Sequence, residues 1–262
     1  MLSYQHAYHA GNLADVHKHA LLAVALARLT DKPKPLSYLE THAGRGLYDL
    51  RAPEALRTGE AAAGIGRVLA GGWFPPGHPL AAALHRVRHA HGVDSYPGSP
   101  LIAAHFLRPD DSLHLAELHP GEFALLQDAI SGMAPRADLR RDDGFAFANA
   151  LLPPLPRRGM LLVDPSYEIK ADYDRLPGWI ARMARKWNVG VIALWYPLLA
   201  DDRHRAMVTA LAADHPGALL SEVRFAPARP GHGMTGSGMF VINPPWGLAD
   251  EAARLGRLYA GL

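Results

Sequence analysis

The chain has 262 residues, 27 Lys and Arg against 25 Asp and Glu, a net charge of +2 with its 15 histidines neutral, 49% hydrophobic residues and no cysteine. Such a chain supports one large α/β domain, or one domain with a sizeable insertion, and excludes wholesale disorder. The missing cysteine excludes disulfides, thiolate metal sites and cysteine nucleophiles and fits a reducing, cytoplasmic setting. The weakly basic balance permits a nucleic-acid partner without requiring one.

The opening MLSYQHAYHAGN has neither a basic leader nor an apolar core, so no secretion signal is expected. The run ALLAVALARL from residue 20 is too short to span a bilayer. Residues 14–30 predict an amphipathic helix with Asp15 in its first turn, and LSYLETHAGRG (36–46) a short strand running into a glycine turn. From 47 to 97 the texture changes to Ala, Gly, Pro, Arg and His around the breaker GGWFPPGHP, which marks a helical insertion between the two parts of the main domain, 1–46 and 98–262.

Beyond it, SLHLAELHP (112–120) predicts a strand, GEFALLQDAI a helix, and ADLRRDDGF (137–145) a short strand and turn. GMLLVDPSYE (159–168) is the clearest strand pattern, followed by a helix near 172–186 and the strand VGVIALWYP. A helix near 203–213 precedes the strands SEVRFAP and GMFVINPPW. Alternating strands and helices that end in a pair of strands predict an α/β fold with a mostly parallel, seven-stranded sheet and an antiparallel edge.

Ligands of open parallel sheets sit at the carboxyl ends of the strands. Four such ends are polar here: THAGRG, then Glu117 in AELHP, then Asp143 and Gly144 in DDGF, then Asp164 in DPSY. A carboxylate at Glu117 suits bidentate bonding to a ribose, and small residues in AGRG let a cofactor approach the backbone. Singly, each has an ordinary explanation as a turn, a solvated acid or a helix cap. Four in this order are far less ordinary.

The order resembles class I S-adenosylmethionine-dependent methyltransferases, and DPSY resembles the (D/N/S)PP(Y/F/W) box of amino-group methyltransferases. SYQHAYHAGNLADVHKHALL, YLETHAGRGLYDL, YPGSPLIA, AELHP, DDGF, VDPSYE, ALWYP and MTGSGMFVINPPW together resemble the bacterial large-subunit rRNA adenine-N6 methyltransferases of the RlmJ type over essentially the whole chain. The resemblance implies a Rossmann-like methyltransferase fold with a small helical insertion, S-adenosyl-L-methionine as cofactor, and 23S rRNA as partner. It also implies cofactor contacts from His19, His42 and Ser99, beside Glu117, Asp143, Gly144 and Asp164, and substrate contacts from Tyr4, His6 and Lys18. Ser166 departs from the box, which usually has a second proline there.

The chemistry follows from the residue types. An exocyclic adenine amine is a poor nucleophile because its lone pair is delocalised. The Asp164 carboxylate and the Pro165 carbonyl can accept hydrogen bonds from that NH₂ and aim its lone pair at the methyl group. Tyr167 would give the extruded base a stacking face. The alternative for Asp-Pro is a helix cap.

INPPW fits the amine box better than DPSY does, but it follows the antiparallel strand and is expected to be a structural turn with an anchoring indole at Trp246. His6, His9, His17 and His19 raise a zinc hypothesis that their helix spacing disfavours, so no metal is expected. Outside the resemblance, Lys18 would be a solvated lysine, Tyr4 a surface ring and Ser99 a turn serine. The expected activity is 23S rRNA adenine-N6 methylation by a monomer with no membrane or obligate protein partner. The alternatives are DNA adenine-N6 methylation and a non-catalytic RNA-binding module.

Overall fold

The computed structural model describes residues 5–133, 137–227 and 233–262. After a single 3₁₀ turn, His6–Tyr8, the Asn12 side chain accepts from Asp15 N and caps α1 (Leu13–Thr30). In chain order there follow β1 (Ser37–Glu40), β2 (Leu47–Asp49), α2 (Pro53–Thr58), α3 (Arg67–Ala70), α4 (Pro79–His91) and β3 (Ser95–Pro97). The remaining elements are α5 (Ser99–Phe106), β4 (Ser112–Ala116), α6 (Pro120–Ile130), β5 (Ala137–Arg140), α7 (Gly144–Leu151), β6 (Gly159–Val163), α8 (Asp172–Lys186), β7 (Val191–Leu199), α9 (His204–Asp214), β8 (Leu219–Arg224), β9 (Met234–Ile242) and α10 (Leu248–Ala260).

The main sheet has seven strands in the order β5-β4-β1-β6-β7-β9-β8. β1 pairs in parallel with both β4 and β6, so the strand order reverses across β1 and β6. β9 runs antiparallel between β7 and β8. This is the expected mostly parallel α/β sheet with an antiparallel edge.

β6 shows why a continuous apolar run makes such a strand. Met160 and Leu162 join the core cluster that contains α1, α4 and α5, whereas Leu161 and Val163 join the cluster on the opposite face, with Leu176 and Ile180 of α8. Both faces are covered by helices, so period-2 alternation of side does not become alternation of polarity.

α1 is also unusual in its burial. His17, Lys18 and His19 are all buried, so three consecutive polar side chains point into protein and each needs a partner there. His17 lies between Ser237 Oγ (2.9 Å) and Ser221 Oγ (3.0 Å), and His19 Nδ1 is 2.8 Å from the Tyr96 hydroxyl. Lys18 reaches the end of β6. This helix therefore ties the antiparallel edge, the 47–97 segment and the parallel sheet together.

Within 47–97, the helices are enclosed by an element absent from the helical expectation: β2 and β3 form an antiparallel ribbon with Tyr48 opposite Tyr96. Ile65, Val68 and Leu80 pack in the same cluster as Leu22 and Leu26 of α1. The backbone of this segment is also close to α1. A Cβ on Gly64 would lie 2.2 Å from Gly11 O, so only glycine fits there.

Candidate active site

A cavity of about 480 Å³ runs along the carboxyl rim of β1, β4, β5, β6 and β7 and is roofed by the first turns of α1. Its wall includes Lys18, His19, His42, Ser99, Glu117, Asp143, Gly144, Asp164, Pro165 and Ser166. The strand ends converge because β1, β4, β5, β6 and β7 are parallel and terminate at one rim. One sequence separation stands out: Lys18 and Asp164 are 146 residues apart and 2.7 Å apart in space.

On the β1 side, Gly44 adopts φ +62 and a Cβ there would come within 2.6 Å of the Tyr48 hydroxyl. This bend lets Gly44 N donate to Glu117 Oε2 (2.8 Å), while His119 N donates to Glu117 Oε1 (2.8 Å). Burial raises the Glu117 pKa, and the two backbone donors work against that rise. Each carboxylate oxygen keeps a second lone pair for a ligand hydroxyl.

Asp143 caps α7 through Ala146 N (2.8 Å). Gly144 has a packing reason of its own, since a Cβ there would lie 1.8 Å from Thr41 O. His42 stands edge-on to Phe145 with centroids 5.1 Å apart. Burial lowers its pKa to about 4 and that of His19 to about 3, so both rings are neutral at pH 7. A glycine bend against a carboxylate, neutral rings and a polar rim could hold an adenosyl amino acid, with Glu117 able to accept from ribose hydroxyls and His19, His42, Ser99, Asp143 and Gly144 lining the same cavity.

On the other side, Lys18 Nζ sits between Asp164 Oδ2 (2.7 Å) and Asp15 Oδ1 (3.1 Å). Burial opposes its charge, but Asp164 and then Asp15 outweigh that and raise its pKa. Burial likewise opposes the Asp15 charge, and His6, Lys18 and His19 more than compensate, lowering its pKa. His6 Nε2 is 2.9 Å from Asp15 Oδ2, which also accepts from Gly11 N (2.9 Å). His6 and Lys18 thus meet at one carboxylate, which in the sequence looks like no more than a helix-start acid.

Two further residues give no comparable signal in the sequence motifs. Glu40, the last residue of β1, is buried and accepts from Ser99 Oγ and from the Tyr38 hydroxyl (3.0 Å). Burial drives its pKa up to about 8, against the hydrogen bond from Ser99 and with the help of Asp164. Ser99 is therefore engaged by Glu40 as well as lining the cavity. Trp195, midway along β7 and one residue past Leu194, the last β7 partner of β6, forms part of the wall, with Lys18 Nζ 5.5 Å from its centroid. The strand-end rule that picks out Asp164 could have found Glu40, whereas Trp195 lies inside its strand and escapes that rule.

Tyr167 is placed differently from expectation. Its backbone adopts φ +56, its ring is only 8% exposed, and it is not part of the cavity wall. The left-handed backbone turns the ring into the core, 4.7 Å from the Tyr173 ring, with its hydroxyl donating to Trp195 O (2.8 Å). In this conformation it offers no stacking face to the cavity. Tyr4 lies outside the described residues.

The second proline-rich turn lies at the opposite rim. Ile242 pairs with Ile192 near the start of β7, and Asn243 Nδ2 donates to Asn188 O (3.1 Å) and Gly190 O (2.8 Å). It is a structural turn, but Trp246 is no buried anchor: its ring is 78% exposed with the Arg28 guanidinium 4.3 Å from its centroid. Among the described residues, no three His, Cys, Asp or Glu side chains converge as a metal site. No helix among them is long and apolar enough to cross a membrane.

A seven-stranded sheet in this order, with a glycine bend, two acids and Asp-Pro on its carboxyl rim, defines a class I methyltransferase of the Rossmann-like type. Known proteins sharpen the assignment. A family model described as Ribosomal RNA large subunit methyltransferase D, RlmJ matches residues 33–260. Ribosomal RNA large subunit methyltransferase J of Escherichia coli (strain K12) is 42% identical over 257 residues, 96% of this chain and 90% of that protein. The protein of the same name from Haemophilus influenzae (strain ATCC 51907 / DSM 11121 / KW20 / Rd) is 39% identical, again over 96% and 90%. A crystal structure of protein LPL1258 from Legionella pneumophila str. Philadelphia 1 superposes with a TM-score of 0.85 at 35% identity, over 95% of this chain and 92% of that one. The chain belongs to the RlmJ family of ribosomal RNA large-subunit methyltransferases.

Proposed function

We propose that the chain transfers a methyl group from S-adenosyl-L-methionine to the N6 amine of an adenine in 23S rRNA, acting in the cytoplasm as a monomer. The observation that carries this reading is the Asp164-Pro165 pair on the β6 rim, across one cavity from the Gly44–Glu117 bend. S-adenosylmethionine supplies a methyl group made electrophilic by its sulfonium. Everything else falls to the residues of the chain.

Glu117 takes the ribose hydroxyls, and the neutral His42 and His19 border the cofactor without adding a positive charge beside the sulfonium. Asp164 and the Pro165 carbonyl accept from the amine and hold its lone pair in line with the methyl group. Lys18 donates to Asp164 Oδ2 at 2.7 Å and holds the carboxylate in place. His6 and Asp15 hold Lys18. No metal has a role.

The division into a methyltransferase domain, 1–46 and 98–262, and an insertion, 47–97, is part of the same proposal, with the insertion holding RNA. Arg57 and Arg86 are exposed on it, as phosphate contacts must be. The test is incubation with labelled S-adenosylmethionine and either 23S rRNA from a strain lacking the modification or unmethylated DNA. N6-methyladenosine in the RNA arm supports the reading, and label only in DNA overturns its RNA half.

A further inference from the structure

Trp246 and the cations around it lie at the rim of the sheet opposite the cavity, and the chemistry proposed above uses none of them. Resting on the RNA half of that reading, we propose that this amino rim is a second RNA-contacting surface. Trp246 stacks an unpaired base, and Lys32, Lys34 and Arg157 neutralise the phosphates beside it. The five residues of β6 set the two rims about 16 Å apart, so the RNA segment held here is remote from the target adenine.

Several loops meet to build the surface. Asn243 Nδ2 fastens the turn before Trp246 to Asn188 O and Gly190 O. Trp187 Nε1 donates to Arg157 O (2.5 Å), which joins that loop to 155–158. Ser37 N donates to Arg158 O (2.8 Å) and Ser37 Oγ to Pro156 O (2.9 Å), so 155–158 lies beside the stretch leading from α1 into β1. The Arg28 guanidinium, 4.3 Å from the Trp246 ring centre, ties Trp246 back to α1.

A helix C-terminus is ordinarily a poor place for an anion, because its unpaired carbonyls make it negative. Here two guanidinium groups occupy those carbonyls. Arg158 donates to Leu29 O and to Lys34 O (2.9 Å). Arg108 donates to Thr30 O (3.2 Å), Lys32 O (2.6 Å) and Lys34 O (2.9 Å). Residues 28–34, 108–111 and 155–158 hold six Lys and Arg against three Asp, an excess larger than the net +2 of the whole chain. Arg28 is paired with Asp31 and Arg108 with Asp111. Among the described residues, Lys32, Lys34, Arg157 and Arg158 form no ion pair. Burial and the Arg108 guanidinium lower the Arg158 pKa against the pull of Asp111, a crowding of like charge that a phosphate relieves.

Lys32, Lys34 and Arg157 are exposed, and Pro33 and Pro35 fix the backbone around the two lysines. Trp246 supplies the aromatic half of the surface. Its ring is 78% exposed, and the guanidinium on it leaves the rest of the indole to a base. Cations beside an exposed ring suit unpaired RNA, whose bases are free to stack while its phosphates are neutralised.

The experiment uses the full chain, unmodified 23S rRNA, and an oligouridylate of about ten nucleotides, a length within the usual single-strand site size. Oligouridylate has no adenine and so probes this surface apart from the methylation site. In the wild type it should shift the Trp246 indole resonance. Trp246→Ala should weaken 23S rRNA binding about 5- to 100-fold, the range for one lost base stack, and Trp246→Phe should recover most of that. The loss should appear as a raised KM at unchanged kcat and unchanged S-adenosylhomocysteine affinity, since binding remote from the chemistry is removed. Lys32→Gln, Lys34→Gln and Arg157→Gln combined should lower the slope of log affinity against log salt by about two, the value for three single-strand phosphates.

A folded triple variant with the wild-type salt slope, as expected if the rim faced an acidic protein instead, would overturn this inference. So would a Trp246 resonance that ignores saturating oligouridylate, or a Trp246→Ala variant that loses kcat at unchanged KM. A wild type that binds RNA through this rim yet forms no N6-methyladenosine would overturn the adenine assignment alone and leave the second surface standing.

Discussion

Lys18 Nζ lies 2.7 Å from the Asp164 carboxylate, joining the first long helix to the rim of the central sheet across 146 residues. The lysine is 6% exposed and the aspartate 13%, so this is a shielded pair rather than a surface bridge. It fixes the position of the proposed amine acceptor, and a base entering the site has to share that acceptor.

Replacing Lys18 by methionine should leave Asp15 and Asp164 facing each other without their common cation. Losing one partner of a buried pair costs about 3 kcal/mol, which chemical denaturation would register. Methyl transfer should fall by about 100-fold or more. Adding Asp15→Asn should restore part of the stability and none of the activity. Recovery of both would mean that Lys18 acts only through the fold.

Glu117 is expected to bind the cofactor ribose, and the structure adds that it also shapes the glycine bend through Gly44 N and His119 N. Glu117→Ala should weaken S-adenosylhomocysteine about 10-fold or more by calorimetry, since a charged hydrogen-bonding partner is removed. Glu117→Gln should lose less, because its amide oxygen can still accept from one of the two backbone donors. Equal affinity in folded wild type and Glu117→Ala would remove the ribose assignment.

The buried titratable groups fix a pH dependence of stability. Burial lowers His17 and His19 to about 3 and His42 to about 4. Their folded pKa values lie below the unfolded one near 6.5, so their contribution is full above that pH and is lost as pH falls toward the folded values. Glu40, raised to about 8, runs the other way: its contribution is full below the unfolded value and is lost as pH rises through 8. The histidines outnumber it, so stability should rise on the order of 1–2 kcal/mol from pH 5.5 to 7 and then decline toward pH 9. Urea denaturation at the three pH values checks this. A flat profile would contradict the buried, neutral state of the histidines.

The sheet, its antiparallel edge and the acids on its rim were legible because each rests on a local signal: an apolar run that stops at a polar residue. Position relative to the antiparallel strand also separates DPSY, on the cavity rim, from INPPW, at the opposite rim. What escaped depended on chain-distant geometry. Nothing local in SYP or LYD reveals that Tyr48 and Tyr96 pair across 47 intervening residues, and nothing in PSY reveals the left-handed backbone that turns Tyr167 inward. Asp15 looked like a helix-start acid because its partners His6 and Lys18 meet only once the 3₁₀ turn folds back over α1. The final helix, α10, is missing from the predicted elements, although Leu248, Leu255 and Tyr259 mark one buried face at spacings of seven and four.

Arg57 and Arg86 test the role proposed for the 47–97 segment. Both are exposed, whereas Arg88 is part-buried and directs Nε toward Ser95 O at 3.5 Å. Arg57→Gln with Arg86→Gln should weaken RNA binding and reduce the slope of log affinity against log salt by about one for each phosphate no longer neutralised. An unchanged slope would make them ordinary solvated arginines.

The most direct test of the central claim compares wild type with Asp164→Ala in transferring labelled methyl from S-adenosylmethionine to unmodified 23S rRNA, with nucleosides resolved by mass spectrometry. Circular dichroism and urea denaturation confirm that both proteins are folded. The account predicts N6-methyladenosine as the labelled nucleoside with wild type and almost none with Asp164→Ala. Label in any other nucleoside, or a folded Asp164→Ala variant that methylates adenine at the wild-type rate, would contradict it.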